Sequence, residues 1–157
     1  GLDREGAGGG RGRYGWSGMR AYVGGAGLRR YLTGVRGLTE AAAWQEGADE
    51  HRGALVTTPM SGTELRRVGD LLGPEARERA RQVELEMPQV RFSDQTLKVA
   101  AMAASVLGPF AALHVGTAVA HPDVGAIATY DPLVARVAAL YQLSVISPGR
   151  PIHWWLG

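Results

Sequence analysis

The fold is decided by two neighbouring runs of sequence, Ala111-Ala112-Leu113-His114-Val115-Gly116-Thr117-Ala118 and Ala126-Ile127-Ala128-Thr129-Tyr130-Asp131. Small and apolar residues recur in the first run at intervals of three and four, which predicts a helix. The segment His121-Pro122-Asp123 predicts a turn, and residues 125–129 are typical of a short buried strand. Ligands bind at the carboxyl ends of strands in open α/β sheets. Asp131, at the end of the second run, is therefore expected to lie at a ligand-binding or catalytic site.

Working outward, short apolar runs alternate with helical patterns from residue 20 onward. Strands are predicted at residues 20–23, 54–57, 90–92, 125–129 and 143–146. Helices are predicted at residues 28–32, 38–49, 59–72, 75–86, 95–107 and 133–140, and a further helix begins at Pro109 and includes residues 111–118. Strands separated by helical patterns of about ten to fifteen residues indicate βαβ units. The sequence therefore predicts an α/β fold of three α/β/α layers with a mainly parallel central sheet.

The 157 residues suit a single folded domain with flanking segments. Residues 1–18 are rich in Gly and Arg and have little to bury, which predicts a disordered leader. We place the domain at residues 19–150 and a C-terminal tail at 151–157. The tail holds the pair Trp154-Trp155, which either serves an interface or packs on its own domain.

The amino-acid composition excludes several classes of protein and of binding site. The chain has no cysteine, which excludes a disulfide framework and a thiolate metal site. It has no apolar run long enough to span a bilayer and no signal-peptide pattern, so we expect no membrane partner and a cytoplasmic location. Lys98 is the single lysine and the net charge is +2, which is a weak nucleic-acid signature.

Residues 112–118 and 129–131 carry a pattern, A-L-H-x-[AG]-T-A followed by T-Y-D, that resembles the C-terminal half of PIN domains. These are metal-dependent nucleases that include the VapC-type toxins of bacterial toxin–antitoxin pairs. The resemblance extends over about residues 20–149, where Val145 to Gly149 are similar to the final strand and turn of the family. It implies a PIN-like fold.

Four acidic positions hold Mg²⁺ or Mn²⁺ in PIN domains, and two of them are acidic here. The first falls on Gly24, after Tyr22-Val23, and the third on Ala111. The resemblance implies that the second and fourth, Glu64 and Asp131, are the metal-binding and catalytic residues. Hard cations take oxygen ligands and activate a bound water. With half of the ligands replaced, the resemblance implies that Mg²⁺ or Mn²⁺ binding is weakened or lost.

The function that follows from the resemblance is that of a Mg²⁺-dependent endoribonuclease toxin, impaired or inactive as written. The alternative is a non-catalytic PIN fold that binds RNA or an antitoxin-like protein. A homodimer stays open as a further partner.

The candidate residues also have structural explanations. Glu64 fits a solvated helix surface, and Asp131 before Pro132 fits the N-cap of the next helix. His114 lies on the same helical face as Ala111 and fits a packing role. Three arginines suit either phosphate contact or solvation: Arg66, Arg67 and Arg136.

The run Gly24-Gly25-Ala26-Gly27-Leu28 supports a third hypothesis, a nucleotide-binding turn between a strand and a helix. The spacing departs from that motif because Arg30 stands at the third glycine position. The strand at residues 55–57 also ends without the acidic residue that would bind a ribose.

Overall fold

The computed structural model describes residues 20–24, 46 and 52–157. Its centre is a parallel sheet of four strands in the order β2-β1-β3-β4. The strands are β1 (Arg20–Val23), β2 (Leu55–Val56), β3 (Val124–Ala128) and β4 (Ser144–Ile146). The predicted α/β class with a parallel sheet is confirmed.

Five helices pack around the described sheet, and proline marks where most of them begin. They are α1 (Pro59–Leu72), α2 (Pro74–Glu86), α3 (Asp94–Ala103), α4 (Pro109–Ala120) and α5 (Pro132–Leu140). Short 3-10 turns occupy Arg52–Ala54 and Trp154–Leu156. A proline ring fixes φ near the helical value and lacks the N–H that a first helical turn leaves unbonded. Helix α3 begins instead after Ser93, whose side chain accepts the Thr96 N–H in a capping box.

Side chains that alternate along the strands divide the core between the two faces of the sheet. Tyr22, Val56 and Ile127 pack on one face against residues of α3, α4 and α5. Ala21, Val23, Leu55, Ala126, Ala128 and Ile146 pack on the other face against α1 and α2. This arrangement confirms the three α/β/α layers.

Helices α3 and α4 approach each other closely at Gly116. A Cβ atom there would lie 2.6 Å from the carbonyl oxygen of Thr96. Only glycine allows this distance, because any side chain would force the two backbones apart. The glycine in the fold-deciding run is therefore a packing residue.

The order of the strands reverses at β1. The chain passes from β1 to β2 on one side and then returns to β3 on the other side of β1. The crevice at such a reversal, outside the carboxyl ends of the strands, is where open α/β sheets bind ligands. Gly24 follows β1 directly, and Asp131 follows β3 after two residues.

The predicted strand at residues 90–92 is wrong. One isolated parallel bridge joins Thr57 to Gln89, and residues 90–93 have no regular structure. The Thr57 N–H donates to the Pro88 carbonyl at 3.0 Å, and the Val90 N–H donates to the Thr57 carbonyl at 2.7 Å. Pro88 has no N–H to extend this pairing. The short β2 strand also ends at Val56 and offers few partner groups.

Two helical details also differ from the prediction. Helix α3 ends at Ala103, before the predicted end at Leu107. The apolar spacing along α1 also predicts that Leu71 is buried, whereas this residue is 87% exposed. Leu140, the last residue of α5, is 83% exposed. Both lie in the last turn of a helix.

Several predictions lie outside the described residues. They are the leader at residues 1–18, the helices at 28–32 and 38–49 apart from Glu46, and the turn after Gly24. Among the described residues, no helix is both long and apolar enough to cross a membrane.

Helix α5 ends in a Schellman motif with glutamine at the position that usually holds glycine. The Gln142 N–H donates to the Ala139 carbonyl at 2.9 Å, and the Leu143 N–H donates to the Ala138 carbonyl at 3.1 Å. Gln142 has a φ of 65°, in the left-handed region. A side chain pays a steric penalty in this conformation.

We therefore expect Gln142→Gly to raise the free energy of unfolding by about 0.5–1 kcal/mol, because glycine removes that penalty. Urea denaturation monitored by circular dichroism measures the change. Gln142→Ala is the matched control, since it shortens the side chain and keeps the Cβ atom. An equal gain from alanine would show that the backbone conformation is not the cause.

Candidate functional site

The centre of the candidate site is a hydrogen bond between β1 and α4. Tyr22 is fully buried, and its hydroxyl oxygen lies 2.5 Å from Nδ1 of His114. The same oxygen lies 3.4 Å from the hydroxyl oxygens of Thr58 and Ser61. A buried phenol needs such partners, because an unpaired hydroxyl in the core is costly. The bond ties the middle of the sheet to the fold-deciding helix.

The hydroxyl groups near Tyr22 come from the start of α1. Thr58 is the N-cap of α1, and its side chain accepts the Ser61 N–H at 3.2 Å. Both residues are fully buried. The cap that begins the helix therefore also delivers two hydroxyl groups to the polar cluster.

Burial decides the protonation states of this cluster. Desolvation raises the pKa of Tyr22 to about 12, so the phenol keeps its proton. Desolvation lowers the pKa of His114 to about 4, so the imidazole is neutral at pH 7.

Glu64 lies one helical turn beyond Ser61 and faces the other nitrogen of the imidazole. Its Oε1 atom is 3.8 Å from Nε2 of His114, which is longer than a hydrogen bond. The Glu64 side chain is 36% exposed and that of His114 is 15% exposed. Water therefore screens the carboxylate, and desolvation outweighs its attraction for a proton on His114. With the ring proton on Nε2 toward Glu64, Nδ1 accepts from the Tyr22 hydroxyl.

Gly24 lies against the His114 ring. A Cβ atom at Gly24 would be 3.2 Å from Nδ1 and 3.3 Å from Cγ of His114. The ring thus fills the space into which a side chain at position 24 would project. A side chain there would require the imidazole to shift by a few tenths of an ångström.

Ala111 and Asp131 lie at the two other positions that the resemblance singled out. Ala111 is partly buried and packs against the core cluster that contains Tyr22. Asp131 is exposed and caps α5, where its Oδ1 atom accepts the N–H groups of Leu133 at 2.8 Å and Val134 at 3.1 Å. The capping explanation for Asp131 is confirmed.

The donor set suits a protein-held Mg²⁺ or Mn²⁺ ion poorly. In residues 20–24, 46 and 52–157, no group of three or more His, Asp or Glu side chains could hold a metal ion. Gly24 and Ala111 offer no side-chain oxygen, and one oxygen of Asp131 is engaged in the helix cap. Hard divalent cations require several oxygen ligands in fixed geometry.

The three candidate arginines have different surroundings. Arg66 pairs with Glu84 at 3.3 Å, and Arg136 donates to the Trp155 carbonyl at 2.8 Å. Arg67 lines a pocket of about 560 Å³ together with Met60, Thr63, Glu64 and Phe110. We call this the Glu64 pocket.

The sequence did not identify Tyr22, Ser61 or Phe110 as parts of a site. A tyrosine between alanine and valine in a buried strand is one signal of a buried polar contact, because its hydroxyl needs a partner. Phe110, 67% exposed at the start of α4, gave no signal of its own.

Comparisons with known proteins find no family model, curated protein or solved structure that matches this chain.

The neutral state of His114 makes stability depend on pH. In the unfolded chain the imidazole titrates near 6.5, while in the folded chain it titrates near 4. The unfolded state thus binds more protons between these values. Above pH 6.5 the imidazole is neutral in both states, and the free energy of unfolding is highest. The free energy of unfolding decreases as the pH falls toward 4, because only the unfolded chain takes up the proton. We expect the titration of His114 to lower the free energy of unfolding by up to about 3 kcal/mol across this range.

The measurement is urea denaturation at pH 7, 5.5 and 4 for the wild type and for His114→Asn. Asparagine keeps an acceptor for the Tyr22 hydroxyl and does not titrate. The variant is expected to lose less stability on acidification than the wild type. Equal losses in both proteins would contradict a buried neutral imidazole.

Proposed function

We propose that this chain is a PIN-like domain that acts by binding a protein partner and that does not cleave RNA with Mg²⁺ or Mn²⁺. The observation that carries the proposal is the His114 ring, which fills the space beside Gly24. The resemblance assigns an acidic ligand to that position. A neutral ring bonded to Tyr22 supplies no charge for a cation there.

The other acidic positions support the same conclusion. Ala111 packs against the core, and Asp131 uses one of its two carboxylate oxygens to cap α5. Glu64 stays at the surface beside a neutral imidazole. Metal-dependent hydrolysis depends on the number and the fixed geometry of the ligands. This chain has acidic residues at only two of the four positions that the resemblance assigns to ligands.

The charge pattern favours a protein partner over RNA. Several arginines of α1 and α2 pair with carboxylates: Arg66 with Glu84, Arg77 with Asp70, and Arg81 with Glu78. Paired arginines contribute little to the release of counterions that drives binding to a phosphate backbone.

The Glu64 pocket is the surface that we assign to the partner. Its apolar side chains are Met60 and Phe110, and Glu64 and Arg67 supply one charge of each sign. An exposed phenylalanine beside charged groups is typical of surfaces that bind the apolar face of an amphipathic helix. The partner proposed is therefore an antitoxin-like protein segment with an apolar anchor and a charged flank.

The first test is cleavage of a mixed RNA pool with Mn²⁺. We expect no metal-dependent cleavage by the wild type. A double variant, Gly24→Asp with Ala111→Asp, restores the acidic positions, and adding His114→Ala makes room for the first of them. Cleavage is expected to increase in the triple variant because its carboxylates can approach a common ion.

Two controls accompany the cleavage test. Glu64→Gln in the triple variant is expected to abolish the restored cleavage, and thermal unfolding checks that each variant is folded. Wild-type cleavage that depends on Mn²⁺ and disappears in Glu64→Gln or Asp131→Asn would contradict the proposal and support the nuclease hypothesis.

The second test addresses the partner. Displayed amphipathic helical peptides are selected on the wild-type chain and measured by fluorescence anisotropy. We expect selected peptides to lose about tenfold or more in affinity for Phe110→Glu, because a buried charge would replace an apolar contact. Leu140→Glu is the matched control, since Leu140 is also a large, exposed apolar residue but is not among the residues that line the pocket.

A labelled RNA pool measured in the same way separates the two partner classes. We expect its Kd to be weaker than about 10⁻⁴ M at physiological salt, the weak limit of non-specific binding. Tighter RNA binding that Phe110→Glu abolishes would contradict the choice of a protein partner.

A further inference from the structure

The described sheet ends at β4, which has a neighbour on one side only. The Thr129 N–H donates to the carbonyl of Ile146 at 3.1 Å, and Ile127 is paired in register with Val145. Main-chain groups of successive residues in a parallel ladder point alternately to the two sides of the strand. Because Ile146 faces β3, the N–H and C=O groups of Val145 face away from the sheet.

The outer edge of β4 borders a cleft of about 510 Å³. Ser144 and Val145 of β4 line it, and so do Arg150, Ile152 and Trp154 of the C-terminal segment, which we call its far wall. We call this the β4 cleft. It shares no lining residue with the Glu64 pocket.

The far wall of the β4 cleft is anchored on α5. The Trp155 carbonyl accepts a hydrogen bond from Nε of Arg136 at 2.8 Å, and the Trp155 side chain is buried. The packing alternative for Trp154-Trp155 therefore applies to Trp155. The C-terminal residues that line the cleft are therefore held against α5.

The two walls supply different contacts. Val145 offers one main-chain donor and one acceptor, which match the backbone of an extended peptide. The opposite wall offers Ile152, which is 76% exposed, and the half-buried ring of Trp154. The indole Nε1–H of Trp154 is buried and has no acceptor among the described residues. Buried indole N–H groups usually have one.

The positive charge in the cleft favours a ligand with an acidic residue. Arg150 is positively charged, and its guanidinium lies 4.5 Å from the centre of the Trp154 ring. Among the residues that the structure describes, no aspartate or glutamate lines the cleft. A carboxylate on the ligand would therefore meet a complementary charge.

We propose that the β4 cleft binds an extended peptide that adds a strand to the outer edge of β4, with an apolar side chain against Ile152 and Trp154 and a carboxylate beside Arg150. The peptide backbone pairs with the N–H and C=O groups of Val145. This surface is separate from the Glu64 pocket, so either proposal can fail without the other.

The probe is a hexapeptide that carries fluorescein on its N-terminus, fluoresceinyl-Glu-Val-Thr-Val-Thr-Glu-amide, titrated with the full chain. We expect a version that is N-methylated at its central residues to bind at least about tenfold more weakly, because it lacks main-chain donors. We expect a similar loss when Lys replaces both Glu residues. Arg150→Ala should weaken binding of the Glu peptide, whereas Arg91→Ala, an exposed arginine outside the cleft, should not.

Hydrogen exchange gives a second readout that needs no variant. With saturating peptide, exchange of the Val145 amide is expected to slow at least about tenfold, because the new strand protects it. Equal binding of the N-methylated peptide, an unprotected Val145 amide in the complex, or no binding at about 1 mM would overturn the proposal. Protection that rises with protein concentration in the absence of peptide would also overturn it, since a second copy of the chain would then cover the edge.

Discussion

The hydrogen bond from the Tyr22 hydroxyl to His114 is the interaction on which the centre of this structure depends. Strand β1 lies between two other strands and is covered on both faces, so Tyr22 is entirely removed from water. A hydroxyl in that position without a partner would cost about 1–3 kcal/mol. The Nδ1 atom of His114 meets this need. Because the Tyr22 hydroxyl requires this partner, the hydrogen bond also fixes the position of the imidazole.

The position of the imidazole has consequences for its neighbours. The ring covers the space beside Gly24, so this end of β1 accommodates no larger side chain without rearrangement. Burial keeps the ring neutral and the phenol protonated. The crevice at the reversal of strand order therefore contains a neutral hydrogen-bonded cluster, with the partly exposed carboxylate of Glu64 at its edge. Such a cluster suits a rigid binding surface better than a site that must gather charge around a cation.

The two proposed binding surfaces use different parts of the same architecture. The Glu64 pocket lies between α1 and the start of α4, where exposed side chains supply the contacts. The β4 cleft uses main-chain groups, which are available because the sheet ends at this strand. A surface made of side chains depends on the residues present, whereas an open strand edge arises from the topology alone.

Local sequence signals predicted most of the described elements because they act within a few residues. The prolines at positions 59, 74, 109 and 132 mark helix starts, and Thr58, Ser93 and Asp131 cap the helices that follow them. The same reasoning failed at residues 90–92, where an apolar run found only one bridge to Thr57. A strand needs a partner, and the length of that partner is not a local property.

The sequence by itself determined the α/β class, the parallel sheet and the helix starts, since hydrophobic periodicity, proline and capping residues act locally. It also indicated Glu64 and Asp131, although not what surrounds them. Only the tertiary structure decided that Tyr22 and His114, 92 residues apart, share a hydrogen bond. Only it decided that this contact occupies the space beside Gly24. The physical reason is that burial of a polar group sets its partners and its protonation through neighbours distant in sequence, which no local pattern specifies.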